Sequence, residues 1–375
     1  MTMSETAATD DGASVGLAAG KPTWKSRIRK VVDIPESGVV AACILVFIVV
    51  TLIKPDFANV DNLQVIGVDL ALYGILAVGE SIVILTSGID LSPGSVVALC
   101  VMVTADLNAN EHIPVGLCIA ASVLIGMAIG YLHGWFITRL DVPPFAITLV
   151  TLTAAAGGAL ALTDGQSITG VSSFYTKIAD TKTGGVPVPA IIFAVIAIAA
   201  WIFLERTYVG RQIYAIGGNR EAARLAGIPV NRRVVLPYVI SGACAGVVAV
   251  IVIGYLSLGS PDVGSGWELD AIAAAVIGGV SLYGGEGRIV GVVAGVLLLM
   301  LINNALIVLN VSSFYQQVAL GLVLGIAIVA DRVRARSRGR ARPRGLPLFG
   351  AQGSPAAAGA AGAGQAPGAG HGAGE

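Results

Sequence analysis

The feature that most constrains this chain is a succession of apolar runs, many of them close to the length that hydrocarbon demands. A helix needs about 20 apolar residues to cross a bilayer core. Such runs recur at 38–53, 63–86, 115–137, 145–162, 189–204, 234–256, 268–282, 289–309 and 314–330, and a further one resumes after a break at 87–94 and continues to 107. In lipid an unpaired backbone N–H or C=O is costly, so a spanning segment must bond within itself as a helix or close into a barrel. Runs this long select helices. Hydrophobic residues make up 55% of the chain and charged ones 12%, a balance that suits lipid better than water. The expectation is an all-α membrane protein, a polytopic bundle of about ten transmembrane helices.

Charge decides the orientation. The chain is formally neutral, with 23 Lys and Arg against 23 Asp and Glu, but the basic residues are segregated. With both termini cytoplasmic, Lys54, Lys177 and Lys182 alone fall outside, and no Lys or Arg is left within a span. This is the bias that positive-inside insertion produces. Residues 1–36 read as a disordered, basic cytoplasmic tail, 37–331 as the membrane domain, and 332–375 as an Arg-rich and then Gly/Ala/Pro-rich tail. The alternating Arg residues from Arg332 to Arg344 are a plain positive-inside anchor or a contact for anionic lipid heads. The first twenty residues lack the apolar core of a cleavable signal.

Catalytic sets are missing. There is no Gly-rich phosphate loop ending in Gly-Lys-Ser/Thr, no nucleophile elbow and no His-Glu-x-x-His. Cys43, Cys100, Cys118 and Cys244 lie in apolar runs and read as small buried side chains. His112, His133 and His371 are dispersed, so no metal site is expected. The chain is read as not an enzyme, with no cofactor of its own and no nucleic-acid partner.

The longest charged interruption, the loop 205–233, carries a short helix signal. Asn219 is suited to cap the free N–H groups of a first turn. Glu221 follows where the helix dipole favours a negative charge. Gly227 can adopt the left-handed conformation that ends a helix, and Pro229 stops it. Ala222, Leu225 and Ala226 share a small apolar face, with Arg220 and Arg224 on another. So short a helix must rest on something: another protein, this chain's own membrane domain, or the lipid surface.

The remaining candidates are polar groups in or beside the spans. Glu80 lies in the second span, Asp90 in the break, Glu268 and Asp270 at the start of the eighth span, and Asn303 and Asn304 within the ninth. Such groups generally face a bundle interior or a water-filled path. Helix-to-helix hydrogen bonding is the alternative for the asparagines, and helix capping for Asp90, Glu268 and Asp270. The break itself holds Gly88, Pro93 and Gly94. Its pattern echoes Gly279-Val280-Ser281-Leu282-Tyr283-Gly284-Gly285, which also follows an apolar run, and paired interrupted helices often mark a transport route.

Four stretches carry a family resemblance: Ala77 to Leu99, Gly210 to Ile228, Gly264 to Gly291 and Ile302 to Gln316. In this order they resemble the membrane permease of ribose-type sugar ABC importers, over about 38–330. The resemblance implies a permease that transports a monosaccharide such as ribose or a related pentose or hexose, paired with a second copy, with a path near the dimer centre. It implies an extracytoplasmic sugar-binding protein that delivers cargo. It also implies a cytoplasmic ATPase with two nucleotide-binding modules, where ATP and Mg would bind. The segment from Asn219 to Ile228 matches the coupling helix that seats in the ATPase, and Glu221-Ala222-Ala223 followed by Gly227 is similar to the signature of importer permeases. The distance from Gly227 to Leu236-Pro237 is shorter than in that signature. The implied location is the bacterial inner membrane. An ion-coupled secondary sugar transporter, with Glu80 as proton carrier, is the main alternative; a passive channel is another.

Overall fold

Turn signals cut the apolar runs where helices end in the structure, a computed structural model that describes residues 37–312 and, further on, 314–316, 318, 319, 321, 322, 325, 326 and 329. Every described residue falls in the first of two units, Met1–Arg332, and none in the second, Val333–Glu375. The tails expected at 1–36 and 332–375, and part of the run at 314–330, therefore lie outside the described residues.

The helices are α1 (Ser37–Ile53), α2 (Val60–Leu85), α3 (Pro93–Ala109), α4 (Val115–Arg139), α5 (Pro144–Ala161), α6 (Ser173–Asp180), α7 (Val188–Arg206), α8 (Tyr208–Gly218), α9 (Arg220–Leu225), α10 (Val230–Leu256), α11 (Trp267–Ile277) and α12 (Ile289–Val308). Six of them, α2, α4, α5, α7, α10 and α12, are long and apolar enough to cross a membrane. Helices α1 and α3, at 17 residues each, are apolar but shorter. The run expected at 268–282 is an 11-residue helix, α11, because Gly278 and Gly279 stop it. At about 1.5 Å per residue α11 reaches only about half-way through hydrocarbon.

Burial separates an inner from an outer layer. The apolar stretch of α2 is 83% buried, whereas that of α5 is 17% buried. Helix α10 lies along α2, α3 and α4, while α12 packs on α1, α2 and α11. The α4–α10 seam is closely packed. A Cβ at Gly126 would collide with the Gly242 carbonyl, and one at Gly242 with the Gly126 carbonyl. Small residues permit this approach, and dispersion between packed backbones replaces the hydrophobic drive that lipid removes. Ser122 Oγ adds a 2.8 Å bond to the Gly246 carbonyl across the same seam. Pro237 sits inside α10; the freed carbonyl it implies is tolerable in a buried, closely packed helix.

The two ends of the bundle differ. At one end the segment 163–187, between the runs ending at 162 and beginning at 189, contains α6 and a two-stranded antiparallel hairpin, β1 (Lys182–Thr183) and β2 (Val186–Pro187). Ser172 Oγ caps α6 by accepting from Phe174 N. Gly184 and Gly185 both take positive φ, the conformation a two-residue hairpin turn requires. Gln64, near the start of α2, bonds to Lys182 and to the Gly185 carbonyl. At the other end the C-terminus of α2 meets α8, as Gly217 lies against the Leu85 carbonyl. Helix α2 thus runs from the hairpin end to the end that carries α8 and α9.

Candidate functional site

The short helix in the charged loop forms where its cap signal lies. Asn219 Oδ1 accepts from Glu221 N at 3.1 Å and Ala222 N at 3.0 Å. Gly227 has φ +78°, a left-handed terminator. The inward residue differs from expectation. Ala223 is buried, at 4% exposure, and packs with Ile216, Val230 and Tyr238. Ala222, Leu225 and Ala226, the face expected to rest on something, are exposed, as are Arg220 and Arg224. Leu225 is 82% exposed. Helix α9 is therefore held by one small side chain and a cap while its larger apolar group is left uncovered. A helix of under two turns shows too little periodicity for its buried side to be read from sequence.

The break at 87–94 folds back along α2. Asp90 N donates to Glu80 Oε1 at 3.2 Å, so the extended segment retraces the last turns of that helix. Asp90 does not cap α3; Ser92 occupies the N-cap position. Asp90 Oδ1 accepts from Ser92 N at 3.0 Å and Ser92 Oγ at 2.6 Å, and its Oδ2 accepts from Ser241 Oγ of α10 at 3.0 Å. Glu80 is fully buried and Asp90 is 2% exposed. Glu80 Oε2, Tyr238 Oη and His133 Nδ1 are buried without a hydrogen-bond partner among the described residues. His133 bonds through Nε2 to Thr151 Oγ1 at 2.7 Å and lies edge-on to Tyr238, ring centroids 6.1 Å apart. Glu80 and Asp90 are thus brought together, as a sealed network that ties the break to α2 and α10.

The asparagines are elsewhere. Asn304 Oδ1 accepts from Asn62 Nδ2 at 2.8 Å. Asn62 precedes Glu80 by 18 residues on α2, about 27 Å along the axis. This is the helix-to-helix reading of Asn304, and Asn303 beside it is half-buried.

A second cluster lies half-way along α2. Tyr73 stacks obliquely on Trp267, the first residue of α11, with ring centroids 5.1 Å apart. Asp69, one turn before Tyr73, and Asp270, in the first turn of α11, both lie within electrostatic reach of the Tyr73 hydroxyl. All four side chains are half-buried. Neither carboxylate has a hydrogen bond or ion pair among the described residues. Glu268 is buried against the start of α3: a Cβ at Gly94 would meet the Gly264 carbonyl and Glu268 Oε2. The N-termini of α3 and α11 therefore converge beside the middle of α2. Sequence reasoning found Asp270 but missed Asp69, Tyr73 and Trp267. The available signal was Asp69 within an apolar run, one turn from a tyrosine.

Chemically, the second cluster offers two carboxylate acceptors and two aromatic faces on one partly open wall. Carboxylates at this depth are expensive in lipid and turn toward protein or a water-filled path. No group of three or more His, Cys, Asp or Glu among the described residues could hold a metal ion.

Comparison with known proteins gives a family. The family model described as "Branched-chain amino acid transport system / permease component" matches residues 62–329. The ribose import permease protein RbsC of Haemophilus influenzae is 42% identical over 294 residues, 77% of this chain and 91% of that protein. The D-allose transport system permease protein AlsC of Escherichia coli is 37% identical over 290 residues, 77% of this chain and 89% of its own. The L-arabinose transport system permease protein AraH of Escherichia coli is 33% identical over 303 residues, 80% and 92% of the two chains. No solved structure matches. With six membrane-length apolar helices, this is a multi-pass protein of the bacterial inner membrane, and it belongs to the branched-chain amino acid transport system / permease component family as a ribose-type ABC importer permease.

Proposed function

We propose that the chain is the membrane subunit of an ATP-driven importer for a monosaccharide such as ribose or a related pentose or hexose, and that it moves its cargo by alternating access. In this reading it has ten spans with both ends cytoplasmic, and it pairs with a second copy. An extracytoplasmic binding protein delivers the sugar, and a separate ATPase with two nucleotide-binding modules binds ATP and Mg. The loop 205–233 is the coupling loop. The observation that carries the proposal is the uncovered Leu225 on a capped helix anchored through Ala223, together with relatives named for import of ribose, allose and arabinose. An exposed apolar side chain beside a face that carries Arg220 and Arg224 suits a protein cleft, and a fixed anchor lets closure of that cleft push on α8 and α10. The transition would be a rocking of packed helices between discrete arrangements.

The path is assigned to the wall bearing Asp69, Tyr73, Trp267 and Asp270. A sugar presents hydroxyls that carboxylates accept from and C–H faces that aromatic rings cover. Interrupted helices whose N-termini meet near the bilayer midplane are the usual setting for such a site. Half-open carboxylates at this depth also call for a facing surface, which the second copy supplies. Glu80 as the proton carrier of an ion-coupled transporter is the second reading, and its unpaired Oε2 is the one observation in favour. Both its oxygens are sealed from solvent, which counts against a group that must exchange protons with water.

The test is a thermal-shift screen of monosaccharides against the cognate binding protein, followed by uptake of the hit into vesicles holding permease and ATPase. Uptake that requires ATP and the binding protein supports the reading; uptake indifferent to ATP and abolished by collapsing the proton gradient overturns it.

A further inference from the structure

The two interrupted segments that echo one another in sequence meet at one point, and the arm bearing the coupling helix is seated on it. Gly285 N donates to the Leu85 carbonyl at 3.0 Å, which ties the loop after α11 to the end of α2. The Ser87 hydroxyl, in the first turn of the break, lies 2.9 Å from the Tyr283 carbonyl and 3.3 Å from the Gly217 carbonyl and shares its one hydrogen between them. The residue does so at φ +62°, a conformation a non-glycine residue adopts at some cost. Gly217, near the end of α8, has no room for a side chain: a Cβ there would collide with the Leu85 carbonyl and with Gly285 N. One residue on, a Cβ at Gly218 would meet nothing within 4 Å. Tyr214 Oη, one turn earlier, donates to the Gly287 carbonyl at 2.8 Å. Burial first, and Glu205 beside it, push that hydroxyl up to about 12, so it remains a donor across the physiological range.

We propose that Ser87, Gly217 and Gly285 form the mechanical joint through which the coupling helix drives both broken helices together. The inference rests on the coupling role proposed above and adds the route. Residue 217 is two positions before the Asn219 cap, so a displacement of α9 reaches the joint through a link of two residues. From Ser87 the break leads in three residues to Asp90, held by Glu80 and by Ser241 of α10. From Gly285 the loop leads to α11, whose far end carries Trp267 and Asp270. A push at Leu225 therefore reaches both sides of the wall through these contacts. These are positioning residues, because none of them faces the wall.

The experiment compares Gly217→Ala, Gly218→Ala and Ser87→Gly in the complete complex of permease, ATPase and binding protein reconstituted in vesicles, with radiolabelled D-ribose as the probe. Three readouts are taken: retention of the ATPase on the permease, ATP hydrolysed, and sugar taken up per ATP. Gly218→Ala should match the wild type. Gly217→Ala should keep the ATPase bound and hydrolysing while uptake per ATP falls about tenfold, the scale of a typical coupling free energy. Ser87→Gly removes the shared hydroxyl donor while relieving the positive φ, so it should insert normally and still lose coupling; it decides the matter if Gly217→Ala does not accumulate. Uptake per ATP in Ser87→Gly equal to wild type, or equal losses in Gly217→Ala and Gly218→Ala, overturns the joint. A wild-type complex in which ATP and uptake are unlinked would instead overturn the coupling role itself.

Discussion

The Asp90 network makes a quantitative prediction. Asp90 accepts three hydrogen bonds, two from Ser92 and one from Ser241, in a site with 2% exposure. Asp90→Ala removes all three and leaves the Ser92 and Ser241 hydroxyls buried without acceptors. Interhelical hydrogen bonds in membranes average about 0.6 kcal/mol, whereas an orphaned buried group costs about 1–3 kcal/mol. The two scales bracket a loss of about 2–6 kcal/mol for Asp90→Ala and about 0.6–3 kcal/mol for Ser241→Ala. Because Ser241 and Asp90 are partners, the losses should not add. A double-mutant cycle by reversible unfolding in mixed micelles should return a coupling of about 0.6–1.7 kcal/mol. Additivity within about 0.3 kcal/mol would mean that the two side chains do not interact, and that the break is held to α10 by something else.

Further outcomes follow from other contacts. Leu225→Asp should leave unfolding within about 0.5 kcal/mol of wild type, since the side chain touches little, while abolishing co-purification of the ATPase. Gly227→Pro should also abolish co-purification of the ATPase, by denying the loop its positive φ and removing the Gly227 N–H bond to the Arg224 carbonyl. Asp69→Asn with Asp270→Asn should raise KM for uptake by about tenfold or more through loss of charge-assisted bonds, with ATPase binding intact in pull-downs. Gly126→Leu should prevent accumulation of folded protein, and Gly126→Ala should cost about 1–3 kcal/mol as overpacking. Gly116→Ala, where a Cβ meets nothing within 4 Å, should be silent in the same unfolding assay.

Much of this architecture was legible in the chain because lipid leaves few choices. The run expected to begin at 115 is the helix Val115–Arg139, and the Asn219 cap and the Gly/Pro break fall where their chemistry puts them. Helix α6 was hidden because eight residues with two buried side chains, Tyr175 and Ala179, do not stand out in a polar loop. Asp90 was expected as a possible cap, but the cap position went to Ser92, because Asp90 is drawn instead to Ser241 across the bundle. The wall of Asp69, Tyr73, Trp267 and Asp270 joins two helices far apart in sequence, and no local pattern pairs them. The echo between the segments at 88 and 279 was visible, but not that both would meet Gly217, since that contact exists only once α2, α8 and α11 are packed.

The most direct test of the central claim, that this chain is a gate driven by another polypeptide, is uptake by the purified permease alone in sealed lipid vesicles under an imposed proton gradient. The account predicts no accumulation of D-ribose above the external concentration until ATPase, ATP and binding protein are supplied. Uphill accumulation by the lone protein, abolished when the gradient is collapsed, would contradict it.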